Sequence, residues 1–198
     1  MRGCSSTTDF LVMNDPFETY NDEVDNFLAK PGQLLPRRNR VNRVSRALNR
    51  GVYLIGVNHK YQIGPDGVIR VDASDDDFAA FAELIRTAVA SQGICGIAEE
   101  MSLAALRKHF VHGPSFTCRV AAEIGLPHRY CDPDPETQKS LNITSPRQRE
   151  AYWVRELMGF NRFPVLFIAG ADHIDSFNAL LTESGLQALV IAGDWAPA

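Results

Sequence analysis

Two histidines in this chain sit in the same setting. Residues 53–59 read YLIGVNH and residues 167–173 read FIAGADH, an apolar run followed each time by Gly-x-x-His. If each run is a buried strand, the glycine lets the backbone turn as it leaves the sheet. The imidazole three residues later is then presented over the sheet's edge, and two such loops can bring His59 and His173 into one crevice. A third apolar run, at 94–98, ends in Glu99 and Glu100. Two histidines and a carboxylate form a ligand set for a catalytic divalent metal, such as zinc or manganese, with an open coordination position. The same set without metal can work as general base and acid on a water.

Other groups stand near predicted strand ends. Asp132 and Asp134 lie in the run DPDPE. Asp134 reads as the cap of a short helix beginning at Pro135, and Asp132 as an addition to a metal or substrate shell. Arg149 and Trp153 share a helix face at i, i+4, which offers Arg149 as a binder of an oxyanion or carboxylate. His109 and His112 read as a helix end and a loop, and His128 as the start of a strand near the site. Among the four cysteines, Cys131 stands at a strand end as a candidate nucleophile, although a small buried hydrophobe is the simpler role. Cys118 falls inside a helix and Cys95 in a strand. No C-x-x-C pair, phosphate-binding loop or dinucleotide fingerprint is present.

The elements that must position these groups follow from the hydrophobic pattern. Apolar runs at 52–57, 94–98, 128–131, 164–169 and 186–191 read as strands. Helical spacing marks the stretch from Ser74 to Gly93, with Phe78, Phe81, Ala82, Ile85, Ala88 and Val89 on one face. Ser74 caps it, and Asp75, Asp76 and Asp77 suit its positive end. Further helices are predicted over about 102–110, 115–124 and 176–184, and one runs from the capping box at Ser145-Pro146-Arg147-Gln148 to about residue 159. Strand and helix in alternation define an α/β fold: a largely parallel central sheet of about five strands flanked by helices. Such sheets bind ligands beyond the carboxyl ends of their strands, which is where these candidates sit.

The first fifty residues have another character. Residues 1–29 are acidic, and residues 37–50 hold six arginines, Arg37, Arg38, Arg40, Arg43, Arg46 and Arg50. They read as an N-terminal arm (1–50) ahead of the α/β domain (51–198), with apolar residues able to dock on that domain or on a neighbouring subunit of a homo-oligomer. The whole chain has 198 residues and a formal net charge of −4, which argues against nucleic acid as the domain's partner and leaves it open for the arm. Mean hydropathy is −0.15, and no apolar run reaches the length of a membrane span. Scattered cysteines and the lack of an apolar leader fit a reducing cytoplasm.

The order of four motifs, GVNH at 56–59, AEE at 98–100, RExxW at 149–153 and GADH at 170–173, resembles one superfamily. It includes the erythromycin esterases, the TraB/PrgY proteins, the Tiki proteases and the haem-binding ChaN lipoproteins. The resemblance covers about residues 52–191. It implies an α/β fold with both histidines and a glutamate in one cleft. It also implies hydrolysis of an ester, amide or related acyl bond in a small-molecule or peptide substrate, by a metal in one branch and by water activation in another. His59 and His173 carry over as ligands or base, Glu99 or Glu100 as the carboxylate, and Arg149 as the anion-binding arginine. Two rival readings remain. One is a metal-dependent nuclease or phosphoesterase using Asp132, Asp134 and Glu99, with the arginine arm on nucleic acid. The other is a non-enzymatic ligand-binding or regulatory module, supported by Val57 where the esterases carry glutamate.

Overall fold

The computed structural model describes residues 50–65, 73–109, 111 and 113–197. The arm, apart from Arg50, lies outside them, as does His112. Five strands form one sheet: β1 (Gly51–Val57), β2 (Gly96–Glu99), β3 (His128–Tyr130), β4 (Val165–Gly170) and β5 (Gln187–Trp195). Their order is β3-β2-β4-β1-β5, and every pairing is parallel. The protein is an α/β fold, as its alternating pattern predicts.

Among the described residues seven α-helices join the strands: α1 (His59–Ile63), α2 (Asp75–Gln92), α3 (Leu103–Lys108), α4 (Phe116–Glu123), α5 (Pro135–Ser140), α6 (Pro146–Phe160) and α7 (Ile174–Glu183). Both expected capping devices are present. Ser74 and Asp77 close a reciprocal box at the start of α2, and Ser145 and Gln148 do the same for α6. The short α1 is an addition to the sequence reading. It starts because Asn58 accepts a hydrogen bond from the Lys60 amide at 3.0 Å.

The pleat divides the core into two layers. Ile55, Val57, Ile97, Leu166 and Ile168 face one side, packed on Phe81 and Ile85 of α2 and Val120 of α4. Val52, Leu54, Ala98, Val165 and Phe167 face the other, packed on Trp153 and Leu157 of α6 and Phe177 and Leu181 of α7. Alternate residues therefore serve opposite layers, as the twofold period of a strand requires. The helices that follow β1 and β2 thus cover one face, and those that follow β3 and β4 cover the other. Strand β4 lies between β1 and β2, and its connection to β5 leaves in the direction opposite to theirs. That divergence opens a crevice at the carboxyl ends of these three strands.

No helix among the described residues is long and apolar enough to cross a membrane.

Candidate functional site

The two Gly-x-x-His loops meet in this crevice. His59 begins α1, and His173 ends a single 3-10 turn (Ala171–His173) that leads into α7. The reason for the glycines differs from the expectation of a sharp turn. Gly170 has ordinary extended angles, φ −59° and ψ 139°. What it cannot accept is a side chain, because a Cβ would stand 2.8 Å from His59 Nε2 and 3.3 Å from Glu100 Oε2. At Gly56 a Cβ would stand 1.9 Å from the Gly193 carbonyl oxygen and 2.6 Å from Ile174 Cγ1. One glycine makes room for the imidazole of the other motif, and its counterpart lets β5 and α7 close in.

Both imidazoles address one oxygen. His59 Nε2 lies 3.8 Å from Glu100 Oε1, and His173 Nε2 lies 3.6 Å from that atom. Each ring is fixed through its other nitrogen. His59 Nδ1 is 2.7 Å from Gln62 Oε1, and His173 Nδ1 is 2.8 Å from Glu150 Oε1. The Gln62 amide is oriented by its Nε2, which donates to the Ile168 carbonyl at 3.2 Å, so its oxygen must accept from His59. Glu150 is a buried carboxylate that also accepts from Ser176 at 2.6 Å. A neutral ring in either place therefore carries its proton on Nδ1 and turns its Nε2 lone pair toward Glu100. The exposures differ: the His59 side chain is 48% accessible and that of His173 is 16%.

Glu99 and Glu100 part company at the end of β2. Glu99, as the last strand residue, points into the α2/α4 layer, where it accepts from Ser115 Oγ and lies 2.9 Å from His128 Nε2. Glu100 points to the other side. Its Oε2 accepts the Gly170 amide at 2.8 Å and its Oε1 accepts Arg149 Nη2 at 2.9 Å. The carboxylate between the histidines is thus Glu100, and Glu99 lies behind it, joined to His59 through Gln62 (Nε2 to Oε2, 3.4 Å).

Arg149 is spent mainly on carboxylates. Its Nε and Nη2 reach Asp132 Oδ1 at 3.0 and 2.8 Å, while Nη1 makes no hydrogen bond among the described residues. Burial works against its charge, but Asp132 and Glu100 outweigh burial and push its pKa up. The Trp153 indole nitrogen donates to the same Asp132 oxygen at 3.1 Å, and the guanidinium lies 5.4 Å from the Trp153 ring centre. Asp132 therefore positions Arg149. Asp134 caps α5 by accepting the Thr137 amide at 2.7 Å. Asp132, Asp134 and Glu99 are thus held by three different partners rather than by one another.

A divalent metal fits this site poorly. The oxygen that both histidines address already carries the Arg149 guanidinium, and a dication there would stand against that fixed positive charge. Of the other ligands expected from the sequence, Glu99 and Asp132 are turned to His128 and Arg149. Among the described residues no group of three or more His, Cys, Asp or Glu is placed to hold a metal ion.

The thiols are now also placed. Cys131 is fully buried and its pKa is pushed up, chiefly by burial, so it is inert packing. Gln62 and Glu150 escaped the sequence reading although each had a local signal. Gln62 is three residues from His59 on one short helix, and Glu150 follows Arg149 in the capped helix. The groove of about 470 Å³ lined by Gly51, Gln187 and Leu189 is at the opposite edge of the sheet, where β1 and β5 begin. It has none of these groups. No family model and no curated protein matches the chain.

Proposed function

We propose that the protein is a metal-independent hydrolase of an ester, amide or related acyl bond, working in a reducing cytoplasm. The observation that carries this reading is the pair of Nε2 atoms facing one oxygen of Glu100 at 3.8 and 3.6 Å, each ring held by its Nδ1. The His173–Glu150 pair supplies the general base: a buried carboxylate fixes the tautomer and favours the imidazolium that forms. His173 takes a proton from a water as the oxygen attacks the acyl carbon. His59, more open to the solvent, enters the reaction as the imidazolium and gives its Nε2 proton to the leaving oxygen or nitrogen, so that one ring is charged before the step and the other after it. Glu100 lies against both rings and stabilises whichever is charged. Arg149 Nη1 is the donor available to the developing oxyanion. The motif resemblance points to the same chemistry.

The test is turnover by the full chain, treated with a chelator, of 4-nitrophenyl esters, acyl 4-nitroanilides and bis(4-nitrophenyl) phosphate. Acyl turnover that survives chelation and disappears in His173→Ala supports the reading. Turnover of the phosphate diester alone, or activity restored only by added metal, contradicts it.

A further inference from the structure

Glu99 takes no part in the proposed acyl chemistry, yet its carboxylate is fully buried in the layer behind the site. Its two oxygens have separate partners. Oε1 accepts from Ser115 Oγ and pairs with His128 Nε2 at 2.9 Å. Oε2 is left to the buried Gln62 amide, whose Nε2 donates to it at 3.4 Å. Burial disfavours the His128 imidazolium, but Cys118 and Glu99 together outweigh it and raise its pKa to about 9. The ring in turn lowers the Cys118 pKa against burial. With a donor from each of Ser115 and His128, Oε1 needs no proton of its own, and Oε2 faces Gln62 as an acceptor.

An amide can present either end to His59. With Oε1 toward the ring, it accepts the Nδ1 proton at 2.7 Å. Turned over, it would donate to Nδ1 and drive the ring's proton to Nε2. The turned amide would set its oxygen against the Ile168 carbonyl and the Glu99 carboxylate, neither of which can donate. This matters because Glu100 pulls the other way. Its Oε1 lies 3.8 Å from His59 Nε2, so an unlocked ring would carry its proton there, toward the carboxylate.

We propose that Glu99 is a positioning residue for His59, which locks the Gln62 amide from behind the site and so keeps the proton of the neutral ring on Nδ1. The same lock serves the charged ring, which donates from Nδ1 to Gln62 while Nε2 gives its proton away. That use rests on the acyl reading; the tautomer does not.

The test is the long-range proton–nitrogen NMR spectrum of the full chain, labelled at its histidine nitrogens, at a pH where His59 is neutral. The wild-type ring should be protonated on Nδ1 and bare on Nε2. Glu99→Gln removes one of the two acceptors and should shift the ratio of the forms about tenfold toward Nε2–H, the worth of one net hydrogen bond. Gln62→Met removes the lock and should leave Nε2–H as the main form. A wild-type ring protonated on Nε2 overturns the proposal, as does an Nδ1–H ring that persists unchanged in Glu99→Gln or in Gln62→Met. Should Glu99→Gln fail to fold, Glu99→Asp takes its place with the same criterion, since it keeps the charge for His128 but draws it back from Gln62. The expected spectra without acyl turnover would strike the hydrolase reading and leave the lock standing.

Discussion

Glu99 and Glu100 are neighbours in the chain and serve opposite faces of the sheet. Glu100 lies between His59 and His173, and Glu99 pairs with His128. The cause is the alternation of a strand, carried to the end of β2. Their substitutions therefore have different signatures. Glu100→Gln removes the charge shared by both histidines and should lower acyl turnover by about 100-fold, the scale of an acid–base contribution. Glu99→Gln leaves His128 in a buried place without its carboxylate. It should cost about 2 kcal/mol in urea unfolding with a smaller effect on turnover. A reversal of these two patterns would show that the faces have been assigned wrongly.

Gly170→Ala tests the packing of the two motifs against each other. The new methyl must displace His59 or the Glu100 carboxylate, since its Cβ falls 2.8 Å from His59 Nε2. Unfolding should show a loss of about 1–3 kcal/mol, with turnover falling further than stability explains. Gly56→Ala meets a backbone carbonyl instead, which cannot swing aside as a side chain can, so it should be the more destabilising of the two.

Arg149 is a pin between two carboxylates before it is a donor to substrate. Arg149→Met leaves Glu100 and Asp132 without their cation and should destabilise the fold by about 2 kcal/mol. Arg149→Lys should recover only part of this, because an ammonium cannot span both acceptors as the planar guanidinium does. Full recovery by lysine, measured by thermal unfolding, would contradict the bridging role.

The layout of the fold was legible because its signals are local. Period-two apolar runs, serine caps and the Ser145-Pro146 start each depend on a few adjacent residues. The meeting of His59 and His173 with a glutamate from the end of β2 was legible for a less local reason: parallel strands place all their carboxyl ends at one edge. The partners that orient these groups were not legible. Nothing near Glu150 says that it will face a histidine 23 residues away, and nothing in AEE says which glutamate faces which layer without the strand's register. The role of the glycines was misread for the same reason. A turn is a local property, whereas the clearance for an imidazole from another strand is a contact made only on folding.

His128 should stay protonated well above the usual histidine range. Followed by NMR on its own ring, it should titrate near pH 9 in the wild type and lower in Glu99→Gln. Because the folded pKa exceeds the unfolded value of 6.5, this group contributes stability below about pH 6.5 that is lost as pH rises through about 9. The lowered Cys118 pKa acts with the opposite sign, contributing stability above the thiol's unfolded pKa that is lost as pH falls through its folded one. The two linkages oppose each other, so the ring and not global stability is the quantity to read. A midpoint near 6.5 would contradict the paired arrangement.

The most direct test of the shared site is a double-mutant cycle on acyl turnover with His59→Ala, His173→Ala and both together. Groups that act as one unit are not additive, so each single variant should lose about 100-fold or more and the double variant little beyond either. Losses that multiply, with each histidine contributing independently of the other, would contradict the claim that the two work on one water and one substrate across Glu100.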